Sequence, residues 1–127
     1  MAGVRQFEEW AAWQKARALT ADVYRVTGRA GFREDFALKN QIQRASVSIM
    51  SNIAEGFERY SRQEFKQFLS VARGSAAEVR CQLYVALDLG YLEQSEFNEL
   101  KDRCAEVSRL IAAMRATVDR EDPNAPT

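Results

Sequence analysis

Apolar residues recur along this chain at steps of three and four, and strand-like alternation is hard to find, which predicts helices throughout. The first is expected from about Phe7 to Thr27, with Ala12, Ala16, Leu19, Val23 and Val26 as its inner stripe. It stops at Gly28, and Gly31 helps the turn. A second helix starts near Asp35, whose carboxylate can accept first-turn amide hydrogens, and runs to about Arg59. Leu38, Ile42, Ala45 and Ile49 form its stripe. Stepping on by three and four reaches Asn52 and Gly56, so the stripe is expected to turn polar in its last two turns. Ser61 and Glu64 have capping-box spacing and open a third helix, whose stripe is Phe65, Leu69, Ala72, Ala76, Val79, Leu83 and Ala86. The fourth carries Phe97, Leu100, Cys104, Val107, Ile111, Met114 and Val118.

Helices over about 7–27, 35–59, 62–89 and 95–119, joined by short loops, predict one domain of residues 1–120: an all-α, antiparallel up-down-up-down four-helix bundle. The capping box and the Tyr60-Ser61 break argue against fusing the second and third helices. A disordered tail is expected at 121–127, which holds both prolines.

The second and third helices make a hairpin, so facing residues should have numbers adding up to about 121. That register places Glu55 opposite Lys66, Arg44 opposite Glu78, and Gly56 near the ring of Phe65. Ion pairing is the plainer role for Glu55 and Glu78, because a catalytic carboxylate pair must share a cleft and this register separates them. Asn52 reads either as a buried amide fixing helix register, with a backbone carbonyl or Ser75 as partner, or as a solvated side chain at the bundle end. Gly74, alone within its helix, suggests a close helix approach.

Charge changes the picture locally. The chain has 18 basic and 18 acidic residues, so no overall charge draws it to nucleic acid, membrane or an acidic ligand. Residues 1–80 nevertheless hold 13 basic and 9 acidic side chains, and residues 81–127 hold 5 and 9. Lys66, Arg73 and Arg80 lie at heptad spacing on the third helix, with Arg62 and Arg59 nearby. This basic stripe has three readings: a contact to a phosphate backbone aided by Tyr60, a solvated face, or a partner for the acidic stripe Glu99, Asp102 and Glu106 of a fourth helix.

Enzyme chemistry finds little support. There is no histidine, no CxxC and no Gly-rich phosphate loop, so neither a metal nor a cofactor nor a small-molecule substrate is implied, and no catalytic residue is assigned. Cys104 sits on a core stripe as a packed thiol, and Cys81 lies off it without an activating base. No stretch approaches the ~20 apolar residues of a spanning helix, and no leader is evident, so a cytoplasmic location is expected. Trp10, Trp13, Tyr24, Phe32, Phe36, Phe57 and Phe68 are too many for one bundle seam. Some are expected to form a patch for a second subunit, making the protein a homo-oligomer.

The segments Phe7–Thr27, "QIQRASVSIMSNIAEGFERYSRQEFKQFLSVARGSAAEVRCQL" (Gln41–Leu83) and "LGYL" (Leu89–Leu92) together resemble the four-helix-bundle family encoded in intervening sequences of bacterial 23S ribosomal RNA genes. The resemblance spans about Phe7 to Val118. It is most specific in SNIAEG and EF-x-x-FL-x-x-A-x-GS-x-x-E, and weakest in the fourth helix. It implies a left-handed bundle assembled as a homopentamer about a central channel, with no assigned biochemical activity. It also implies kinship with accessory proteins of diversity-generating retroelements, which bind a reverse transcriptase and nucleic acid through a strongly basic surface. The neutral balance of this chain departs from that branch. Met50 stands where relatives often have proline in SI-P-SNIAEG, so a straighter second helix is expected.

Overall fold

A computed structural model describes residues 5–59 and 61–121. Tyr60 and the tail expected at 121–127 fall outside them, apart from the helical backbone of Glu121. The elements are a 3₁₀ turn at Phe7–Glu9 followed by α1 (Ala11–Thr27), α2 (Phe36–Phe57), α3 (Arg62–Asp88) and α4 (Gln94–Glu121). Each helix packs on its chain neighbours and α1 packs on α4, while the diagonal pairs do not meet. With short connections, this is a four-helix bundle of antiparallel neighbours.

The first helix differs from expectation. Glu9 accepts the amide hydrogens of Arg5 and Gln6, closing a separate 3₁₀ turn. Trp10 then takes an extended conformation before α1 begins. That break turns the indole into the end of the core, where it stacks on Phe65 at 5.5 Å and meets Phe57 edge-on at 5.0 Å.

The stripes of α1, α3 and α4 are buried as the spacing predicts, except that Phe65 is half-buried. In α2 the apolar stripe does not turn polar. Ile53 continues it, fully buried, and Asn52 flanks it half-buried. The step from Ile49 can be three or four in a 3.6-residue helix, and the four-residue step leads to isoleucine.

The loops are tied down locally. Asp35 caps α2 by accepting from the Leu38 amide at 3.1 Å, and its other oxygen accepts from the Tyr91 hydroxyl at 3.0 Å. Gly31 and Gly90 take positive φ values of 90° and 78°, which an L side chain rarely adopts. Ser61 accepts from the Glu64 amide, but the Glu64 carboxylate does not return the bond, so the capping box is half-formed. α2 runs unbroken through Met50.

The aromatic residues mostly close the ends of the bundle and do not form an outer patch. Trp10 and Phe32 are buried, Trp13, Phe57 and Phe68 are half-buried, and only Tyr24 and Phe36 of the expected set are exposed. Phe7 meets Trp13 and Phe57 edge-on at one end, and Phe32 stacks on Tyr91 at 5.1 Å at the other. A coiled seam has two open ends, and large rings close them.

Candidate functional site

The polar residues of SNIAEG separate into three environments. Asn52 donates to the carbonyl of Ser48 at 2.8 Å and to its hydroxyl at 3.0 Å. That hydroxyl lies 2.8 Å from the Ser75 hydroxyl across the α2/α3 interface. Asn52 therefore reaches Ser75 through Ser48 and orients a hydroxyl contact between the two helices. Asn52→Leu should cost about 0.5–1.5 kcal/mol in denaturant unfolding, as a shielded hydrogen bond is lost. A raised melting temperature with an unchanged state of association would show that the amide specifies nothing.

Gly56 is buried at the end of α2, against α3. A Cβ there would stand 2.8 Å from Phe65 Cδ1 and 3.1 Å from Phe68 Cβ, so the expected close approach of the Phe65 ring is present. Gly74 differs: it is exposed, and a Cβ there would meet nothing within 4 Å, so within one chain it marks no close approach.

Glu55 does not pair with Lys66. Lys66 lies on the other flank of α3 and pairs with Asp119 of α4, while Glu55 is exposed beside a shallow groove shared with Phe7, Glu58 and Arg59. Arg44 and Glu78 do line one groove of about 420 Å³ between α2 and α3, but they make no ion pair across it. Ser75 and the buried, unpartnered Gln82 Oε1 line the same groove. The hairpin register is right in level; the side chains of Glu55 and Lys66 point to different faces.

Two acidic residues of α4, Glu96 and Glu106, pair with bases of α1 and the turn that follows it. Glu106 pairs with Lys15 at 3.3 Å and Glu96 with Arg29 at 2.5 Å. The hydrogen bond from Arg29 holds the Glu96 carboxyl below its ordinary range, and the same bond raises the guanidinium. Asp22, buried on α1, accepts from Arg25 at 2.6 Å and pairs with Arg103, which also holds Glu99 at 2.7 Å. Glu99 and Glu106 are thus engaged away from α3, correcting the expectation that they meet its basic stripe within the chain. Nothing in the hydrophobic pattern marked Asp22, although its i,i+3 spacing to Arg25 is legible.

With those acids turned away, the α3/α4 face is left basic. Arg73 and Arg80 are exposed and make no ion pair among the described residues, and neither does the exposed Arg115, which the spacing did not single out. Two grooves of about 240 and 350 Å³ meet at Arg73 and Ala77 along this face. Small residues line them, Gly74, Ala77 and Ala112 among these. Lys101 extends the cationic line toward the α3–α4 turn, 5.6 Å from the Tyr84 ring. Arg62 lies exposed at the start of α3.

The thiols conform to the reading from spacing. Cys104 is buried, and burial pushes its pKa up to about 12, with Arg80 opposing only in part; Cys81 is exposed. Among the described residues no group of three or more His, Cys, Asp or Glu side chains converges, and no helix is long and apolar enough to cross a membrane.

No curated protein matches the chain. A crystal structure of a protein of unknown function from the S23 ribosomal protein family of Bacteroides thetaiotaomicron VPI-5482 superposes with a TM-score of 0.75. The match has 20% sequence identity and covers 83% of this chain and 98% of that one, which shows a shared fold. The family model for 23S rRNA-intervening sequence proteins matches residues 8–113, from the 3₁₀ turn almost to the end of the α4 stripe, and the chain belongs to that family.

Proposed function

We propose that this protein is a non-catalytic binding or scaffolding module that works as a cytoplasmic homo-oligomer, five copies being the number implied by the resemblance described above. The observation that carries the reading is the charge on the bundle surface. Among the described residues, Arg73, Arg80 and Arg115 make no ion pair along one face, and Glu55, Glu64 and Glu78 make none elsewhere. Exposed arginines cost little in isolation, yet matched sets on separate faces are what specific association uses. The reactive residue types lend no competing reading: Cys104 is held protonated by burial and the chain has no histidine.

A second reading, a nucleic-acid-binding accessory protein such as one serving a reverse transcriptase, draws on the same Arg73 and Arg80 with Arg62 and Lys66. The grooved basic face favours it. The neutral net charge and the capture of Lys66 by Asp119 weigh against it.

A gel-shift assay with structured RNA and duplex DNA separates the two readings. The module reading expects no shift at low salt. A shift that weakens steeply as salt rises, and that is lost in Arg73→Glu/Arg80→Glu, would overturn it in favour of nucleic-acid binding.

A further inference from the structure

We propose that the groove between α2 and α3 binds a small zwitterion of the amino-acid class, its carboxylate held by Arg44 and the Ser48/Ser75 hydroxyls and its ammonium by Glu78 and Gln82. The site is complete within one chain, so the inference goes beyond the self-association reading and does not depend on it.

The groove, about 420 Å³, runs along the helix pair from the level of Ser48 and Ser75 to that of Gln82. Arg44 enters it from α2 and Glu78 from α3. The hairpin brings the two to one level and both are exposed, yet neither makes an ion pair with the other or with any other described residue. The groove is therefore neither acidic nor basic. It holds one charge of each sign, on opposite walls, with open space between them.

Hydrogen-bond accounting gives the same polarity. The Ser48 and Ser75 hydroxyls lie 2.8 Å apart, and of their two hydrogens the mutual contact uses one. Asn52 cannot take the other. Its amide nitrogen faces Ser48, because the Ser48 carbonyl 2.8 Å away can only accept, so Asn52 donates to the Ser48 hydroxyl as well. One hydroxyl hydrogen is thus left without an acceptor among the described residues, beside Arg44. Gln82 Oε1 presents the opposite want, a buried acceptor with no donor. Leaving such an atom unmet is costly, and the soft last torsion of a glutamine side chain lets it turn Oε1 to a donor in the groove it lines. Donors and positive charge therefore gather at the Ser75 end, and acceptors and negative charge at the Gln82 end.

The spacing selects the ligand. Ser75 precedes Glu78 by three residues and Glu78 precedes Gln82 by four, rises of about 4.5 and 6 Å. A carboxylate midway along the first interval and an ammonium midway along the second are centred about 5 Å apart. That is the reach of an extended amino acid whose amine is separated from the carboxylate by several methylenes, as in γ-aminobutyrate. An α-amino acid such as glycine is too short to meet both ends at once.

Ligand-observed saturation-transfer NMR on the full-length protein tests the site, with γ-aminobutyrate as the probe. Saturable binding is expected, and affinity should fall from γ-aminobutyrate through β-alanine to glycine. Butyrate and butylamine, which keep one charge each, should bind about tenfold more weakly or worse, the worth of a lost charged hydrogen bond. Arg44→Gln and Glu78→Gln should each weaken the probe by a similar factor and Gln82→Leu by a smaller one. Circular dichroism checks that these variants keep their helicity, and Arg73→Gln, on the far flank of α3, should bind as the wild type does. No binding of γ-aminobutyrate, butyrate or butylamine binding as tightly as the zwitterion, or Arg44→Gln and Glu78→Gln proteins that bind unchanged would each overturn the assignment. None of these results bears on the mass of the assembly, so the two readings fail separately.

Discussion

Gly56→Val is expected to destabilise the protein by about 1–3 kcal/mol, the usual cost of forcing extra carbon atoms into a packed interface. The Cβ alone would lie 2.8 Å from Phe65 Cδ1 and 3.1 Å from Phe68 Cβ. The Phe65 ring cannot swing away freely, because it is stacked on Trp10 at 5.5 Å. Gly56→Ala sets the same first contact against a helix-propensity gain of up to about 1 kcal/mol, so alanine should cost less than valine. Urea unfolding midpoints of the two variants measure the difference. If Gly56→Ala stabilises and Gly56→Val is neutral, the close approach of α2 and α3 at this point is absent. In that case the glycine of SNIAEG has no packing role.

Trp10→Ala carries the larger expected loss, about 3–5 kcal/mol, typical of deleting a buried aromatic side chain. The indole is 6% exposed and contacts both Phe57 and Phe65, so its removal opens the end of the bundle where the 3₁₀ turn, α2 and α3 converge. Tyr24→Ala is the control, since Tyr24 is 48% exposed and its loss should stay near the small values of surface positions. Guanidinium unfolding of both variants makes the comparison. A Trp10→Ala loss no larger than that of Tyr24→Ala would mean the aromatic cluster is not part of the core.

The regular 4-3 stripes of α3 and α4 were legible because one seam along a helix repeats every heptad, and each of their residues reaches that seam. The end of α2 was misread for the converse reason. From Ile49 both Asn52 and Ile53 are permitted next steps, and only packing selects Ile53. The hairpin register gave the levels of Gly56 and Phe65 and of Arg44 and Glu78 correctly, yet it failed for the pairing of Glu55 with Lys66. Level along an axis says nothing of the flank on which a side chain leaves it. The charge pairs of α4 with α1 were invisible for a different reason: Lys15–Glu106 and Arg29–Glu96 join elements far apart in sequence, which only the closure of the bundle brings together. The basic groove emerged by the same closure, once Glu99 and Glu106 were found turned to α1 and Arg115 was found beside Arg73.

Self-association through exposed charge has a salt signature. Contacts between solvated guanidiniums and carboxylates weaken as the screening length falls to about 3 Å near 1 M salt, whereas apolar contacts do not weaken with it. The central claim is that the chain works as an assembly whose members satisfy one another's charges. It is tested most directly by sedimentation equilibrium of the unmodified protein over a range of concentrations at low salt and again near 1 M salt. The expected result is a discrete mass of about four or five chains at low salt that falls toward that of one chain at high salt. A single-chain mass at every concentration in low salt would contradict the account. A multimer of unchanged mass at high salt would contradict its charge-based interface and assign the assembly to apolar contacts.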